Sequence, residues 1–283
     1  MSEYPLTRYA LVPPLNEVPR CDAYIARYMV RLFITEMLAV ASLEFPLTVF
    51  TGIENFTESL TTMVAMAYAL SIWTYGPISG PQLHTGLSLI LLFTRRLSYP
   101  YAIVSIVAQI VGAILGCGLA IVITQKYPDA THHYGLAKLP DGSSEWQAFL
   151  MEAIAIFMIV MMILATLDES RQGAWAVAHI SLFPFMFAVS VIFTAPMIAA
   201  HSGIGLNPAM MIGAAIVNNY YKDVWIYVAG PIVGCVVAAI IYEMVISNAA
   251  STARLRHWFT DRNFNRHTNY KVLDGEVPDN KID

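Results

Sequence analysis

The chain has 283 residues, of which 57% are hydrophobic and only 13% charged, with a formal net charge of −4. A soluble domain carries about 25% charged residues, so the composition is that of a membrane protein. A nucleic-acid binder would need a concentrated basic face. An enzyme would need a nucleophile with its base, a phosphate loop or a metal-ligand cluster in the polar segments, and the sequence shows none of these.

Residues 1–27 contain Pro5, Pro13, Pro14 and Pro19 among several charges and read as an N-terminal tail. No apolar stretch there precedes a small-residue cleavage site, so the first span is expected to direct insertion. A helix needs about 20 largely apolar residues to cross the hydrocarbon core. Tyr28–Phe50, Ser59–Ile78, Pro100–Thr124, Trp146–Leu167, Trp175–Ala199 and Val224–Ser247 meet that requirement. The expected fold class is therefore all-α and membrane-spanning. Thr85–Phe93 and Pro208–Asn218 are apolar but too short to cross, a length that fits re-entrant segments. Such backbone is tolerated at membrane depth only inside protein or beside a watery cavity. Residues 248–283 are polar and read as a second tail, which leaves 28–247 as the membrane domain.

A short segment occurs twice. Ser79-Gly80-Pro81-Gln82-Leu83-His84-Thr85-Gly86 corresponds to Ser202-Gly203-Ile204-Gly205-Leu206-Asn207-Pro208-Ala209. Farther along each half, Ile110-Val111-Gly112 corresponds to Ile232-Val233-Gly234 at nearly the same interval. The halves run over about 28–124 and 146–247. Two related halves in a membrane protein point to a pathway between them, with the active groups where broken helices meet. Each re-entrant stretch directly follows one copy of the motif. Asn207 is a favoured N-cap and Pro208 occupies the preferred first helical position. The first half-helix has His84 or Thr85 as its cap, and Gly86 weakens its start.

Six spans place both tails on one side of the membrane. Of the 16 lysines and arginines, only Lys126, Lys138 and Lys222 fall on the other side. Basic residues mark the cytoplasmic face, so both tails are expected in the cytoplasm, at a plasma or internal membrane. The sequon Asn55-Phe56-Thr57 then lies in the first outer loop, and Asn55 is a glycosylation candidate.

From about Leu32 to Ser247 these residues resemble the aquaporins, the major intrinsic proteins. The resemblance is carried by Leu206-Asn207-Pro208-Ala209, by Glu36 and Glu152 in the first span of each half, and by Ala165-Thr166-Leu167-Asp168-Glu169-Ser170-Arg171. Ile78-Ser79-Gly80 and Gly230-Pro231-Ile232-Val233-Gly234 extend it. It implies six tilted helices plus two half-helices meeting mid-membrane, four such units forming a homotetramer in the lipid bilayer, and no cofactor. It also implies that Glu36 and Glu152 support the re-entrant loops by binding their backbone amides.

The departures bear on selectivity. The family's first half-helix also begins Asn-Pro-Ala, and here those positions hold His84, Thr85 and Gly86. The residue after the second motif is normally a filter arginine, and here it is Met210. Aligned from the two motifs, the remaining filter positions fall on Val64, Ala195 and Ile204. Such a ring has no side-chain cation and no aromatic group. It either admits bulkier, less polar solutes or gates by dewetting, and flexible Met210 is long enough to plug the lumen.

Each half-helix brings about half a positive charge to the centre, and Asn207 can donate its amide hydrogens to a passing water or hydroxyl. Both effects favour neutral permeants and oppose cations. His84 brings an imidazole whose protonation would set a full charge mid-pore, the basis for expecting a channel altered by acid. Three functional readings follow. They are a channel for water or small uncharged solutes such as glycerol, a channel of altered selectivity for ammonia, peroxide or ions, and a non-conducting structural or adhesion protein.

The other polar residues carry weaker signals. Glu44 is assigned to the interface or the outer vestibule, and His201 to the outer mouth. His132 and His133 read as a solvated pair. Cys21, Cys117 and Cys235 are too widely spaced for a metal site. The basic residues of 254–266 are assigned to anionic headgroups.

Overall fold

The computed structural model describes residue 18 and residues 23–51, 57–80, 82–129, 131–168, 179–261, 264–266 and 268–275. Asn55, Cys21, most of the N-terminal tail and Glu169-Ser170-Arg171 lie outside the described residues. The α-helices are α1 (Ala23–Thr51), α2 (Thr57–Ser79), α3 (Thr85–Phe93), α4 (Tyr99–Thr124), α5 (Glu145–Thr166), α6 (His179–Ser202), α7 (Pro208–Asn218), α8 (Val224–Ile241) and α9 (Thr252–Thr260). A π-helical turn, Tyr242–Ile246, continues α8, and a 3-10 turn covers Tyr270–Asp274.

Local chemistry sets several of these boundaries. The Ser144 hydroxyl caps α5 by accepting from the Gln147 N–H, and Glu145 in the first turn complements the helix dipole. Ser98 precedes α4, with Pro100 in its first turn. Helix α1 begins before the predicted Tyr28 because Ala23, Ala26 and Arg27 are good helix formers that extend it past the apolar zone. Among the described residues, α1, α4, α5, α6 and α8 with its π turn are long and apolar enough to cross a membrane. Helix α2 is long enough, with 23 residues, and more polar, carrying Thr61, Tyr68, Ser71, Thr74 and Tyr75.

The packing repeats between the halves. In the first, α1 packs on α2 and α4; in the second, α5 packs on α6 and α8. Helices α2 and α6 meet across the centre, and the short α3 and α7 each lie against both α4 and α8. The repeated Ile-Val-Gly motif now has a physical reason. A Cβ on Gly112 would collide with the Met37 carbonyl of α1, and one on Gly234 with the Ala153 carbonyl of α5. Glycine lets each pair of backbones approach closely, as membrane helices do where burial of apolar surface cannot drive them together. The outer faces keep large apolar side chains exposed, including Val30, Ile34 and Leu38 of α1 and Ile103 and Val107 of α4. In a bilayer those faces meet lipid.

The second tail is docked against the helical body. Glu243, in the π turn, accepts hydrogen bonds from Arg96, from Arg254 at 3.0 Å and from Arg266 at 3.0 Å. Trp258 of α9 packs on Phe93 at the end of α3, with ring centroids 5.5 Å apart. Arg254 is 2% exposed. It and Arg266 therefore turn inward to a carboxylate, which corrects their assignment to headgroups.

Candidate functional site

The half-helices begin where the chain is forced out of helical geometry. Gly80 and Leu83 before α3, and Gly203, Ile204 and Leu206 before α7, all have positive φ, from 52° at Leu206 to 79° at Gly203. Within these turns the Leu83, Gly205 and Leu206 N–H groups point away from the preceding helix and need other acceptors. A buried N–H without an acceptor costs about 1–3 kcal/mol, and carboxylates supply the acceptors here. Glu36 Oε2 accepts from the Leu83 N–H at 3.0 Å and from Gln109 Nε2 at 2.8 Å. Glu152 accepts from the Gly205 N–H at 2.8 Å, the Leu206 N–H at 2.7 Å and the Ser202 hydroxyl at 2.7 Å.

At the start of α3, His84 Nδ1 accepts from the Leu87 N–H at 3.3 Å, while Nε2 lies 2.9 Å from the Leu206 carbonyl oxygen. A carbonyl only accepts, so the proton is on Nε2 and the ring is the neutral tautomer. Thr85 donates to Gln109 Oε1 at 3.2 Å, and Gln109 Nε2 also donates to Ser88 at 3.0 Å. Gly86 lies against His84 and Cys235, where a Cβ would not fit.

At the start of α7, Asn207 Oδ1 accepts from the Ala209 N–H at 3.1 Å. Its Nδ2 donates to the Leu83 carbonyl at 2.9 Å and to the Tyr68 hydroxyl at 3.0 Å. Pro208 and Ala209 form the buried first turn of α7.

Val64, Ala195, Ile204 and Met210 line one cavity of about 50 Å³, together with Tyr68 and Leu206. That is room for only a few water molecules. It sits on the side where α1 ends. Toward the tail side a second cavity, of about 170 Å³, is lined by Gly80, Gln82, Leu87, Arg96 and Phe183 among others. The two cavities share no lining residue. Tyr68 lies 5.1 Å from Phe187 between ring centroids, and Phe187 lies 6.1 Å from Phe183.

Tyr68 and Gln109 are the polar residues that sequence reasoning passed over. Tyr68 lies one helical turn beyond Val64 on α2, hence on the same face. Gln109 is a polar group inside an apolar span, a costly placement that marks a role. Glu44, assigned to the interface or vestibule, is instead fully buried and accepts from Thr48 at 3.1 Å. His201 meets Gln147 at 3.0 Å. His132 contacts Asp129 at 2.9 Å at the exposed loop surface, and His133 stacks on Tyr220 at 3.8 Å. The Asp129 carboxyl is held below the usual carboxylate range, chiefly by the Thr131 N–H and then by His132.

Comparison with known proteins agrees with this architecture. Residues 16–242 match the family model described as Major intrinsic protein. The chain is 31% identical to aquaporin-1 of Bos taurus over 201 residues, 69% of this chain and 72% of the relative. It is 30% identical to aquaporin-1 of Homo sapiens over the same shares, and 28% identical to aquaporin-4 of Rattus norvegicus over 69% of this chain and 59% of that relative. The fold is similar to that of the aquaglyceroporin from Plasmodium falciparum solved by X-ray crystallography. That match has a TM-score of 0.67 and 22% identity, and covers 77% of this chain and 97% of the other. With the family model covering most of the chain and the half-helix architecture in place, this protein belongs to the major intrinsic protein family.

Proposed function

We propose that this membrane channel passes water and small uncharged solutes such as glycerol, driven only by their gradients. The pore in this reading is lined by His84 and Asn207, and Val64, Ala195, Ile204 and Met210 form its hydrophobic filter. The observation that carries it is the meeting of two half-helix N-termini above a cavity lined by those four residues. Facing dipole ends oppose cations at the centre, and an apolar ring holds no fixed ion there. Glu36 and Glu152 keep the two turns in register. The working unit in this reading is a homotetramer with both tails cytoplasmic.

Light-scattering flux in proteoliposomes tests it, with osmotic gradients of an impermeant sugar and of glycerol. Wild-type vesicles should shrink faster than empty ones under the sugar gradient. Met210→Arg places a cation and a rigid donor in the filter, and should lower the glycerol-to-water permeability ratio. If neither water nor glycerol moves faster than through empty liposomes, the channel reading falls and a structural role replaces it.

A further inference from the structure

We infer that Tyr68 is the specificity-determining residue at the centre of this pore, its ring setting the bore and its hydroxyl meeting the permeant. The inference rests on the channel reading above and assigns a residue within it.

Both amide hydrogens of Asn207 are engaged, by the Leu83 carbonyl and the Tyr68 oxygen. Both ring nitrogens of His84 are engaged as well, with Leu206 and Leu87. The caps that would serve a passing solute therefore serve the protein. Tyr68 accepts from Asn207 and directs its own O–H at the Met210 sulfur, 3.6 Å away. A thioether is a weak acceptor, so a water or hydroxyl oxygen arriving from the outer cavity takes that hydrogen bond in its place. Tyr68 and Met210 both line that cavity. The lone pair facing Asn207 is already used, which leaves an arriving cation a poorer site than an arriving oxygen acceptor.

Position supports the same assignment. Tyr68 is 4% exposed, and its ring packs on Phe187, which packs on Phe183 at the inner cavity. The three rings run from Tyr68, which lines one cavity, to Phe183, which lines the other. Removing the first ring joins space on the outer side to the half-helix junction, whereas removing the hydroxyl alone leaves the bore unchanged.

The test uses the full chain in proteoliposomes, comparing water and glycerol permeability for wild type, Tyr68→Phe and Tyr68→Ala. Each protein is first checked for a monodisperse peak and native helicity, and Tyr68→Leu replaces the alanine variant if that one misfolds. The small side chain should raise the glycerol-to-water ratio roughly tenfold or more, because pore diameter sets the size limit. Tyr68→Phe should keep the wild-type glycerol limit while passing water more slowly. Flux in Tyr68→Ala with none in wild type also supports the assignment, since the ring then closes the bore. An unchanged ratio in a folded alanine or leucine variant of a conducting channel overturns the role of Tyr68 and leaves the channel reading standing. Absence of flux in every protein overturns the channel reading itself.

Discussion

His84 and Asn207 each hydrogen-bond the backbone just before the other, tying the two halves of the chain together. His84 donates to the carbonyl of Leu206, the residue before Asn207, and Asn207 donates to the carbonyl of Leu83, the residue before His84. Each also caps its own helix, His84 by accepting from Leu87 and Asn207 by accepting from Ala209. Imidazole and carboxamide perform the same pair of tasks because each presents an acceptor and a donor on one short side chain.

Substituting His84 by alanine removes one cap and one cross-bond. Loss of a cap costs about 0.5–2 kcal/mol, so the thermal midpoint of detergent-solubilised protein should fall clearly for His84→Ala. His84→Asn restores a capping side chain and should recover most of the loss. Equal midpoints for the alanine variant and wild type would show that the cap contributes nothing.

Glu152 uses both oxygens for backbone N–H groups, whereas Glu36 takes the Leu83 N–H and Gln109 on a single oxygen. Glu152→Gln puts an NH2 against a donor and orphans a buried N–H, at a cost of about 1–3 kcal/mol. The midpoint should therefore drop more for Glu152→Gln than for Glu36→Gln, and the reverse order would contradict this account of the two turns.

Gly234→Leu forces a side chain into the Ala153 backbone, and Gly112→Leu does the same at Met37. Overpacking costs about 1–3 kcal/mol even where neighbours can shift, and a backbone carbonyl yields little. Both variants should lose the monodisperse peak on size-exclusion chromatography. Gly118→Leu, at a position with open space around it, should keep that peak.

Glu243 pairs with Arg96, Arg254 and Arg266. Breaking a buried ion pair by removing one partner costs about 3–5 kcal/mol, and here one neutralised carboxylate is withdrawn from three arginines. In Glu243→Gln, trypsin should cut within α9 much faster than in wild type while the helical body stays intact. Unchanged protection would mean that Trp258 and Phe93 hold the segment without the ion pairs.

The helical framework was legible from apolar length alone, and the half-helices with it. Thr85–Phe93 and Pro208–Asn218 have the boundaries expected from sequence, because the residues at their starts stop one backbone geometry and begin another. The interior was less legible. Arg254 reads as a surface cation until its partner Glu243 is seen, and that pairing depends on how the chain returns after the π turn. Tyr68 looks like one more aromatic in a span. Its position opposite Asn207 comes from the packing of α2 on α6, a long-range contact that no local pattern encodes.

The cross-bonding of His84 and Asn207 also sets an order of events during synthesis. When the first four helices have entered the membrane, Leu206 and Asn207 have yet to be made, so His84 Nε2 and the Leu83 carbonyl have no partners. The amino-terminal half thus inserts with its innermost polar atoms waiting. Only arrival of the carboxy-terminal half completes them, so the seam between the halves cannot close before Leu206 and Asn207 are made.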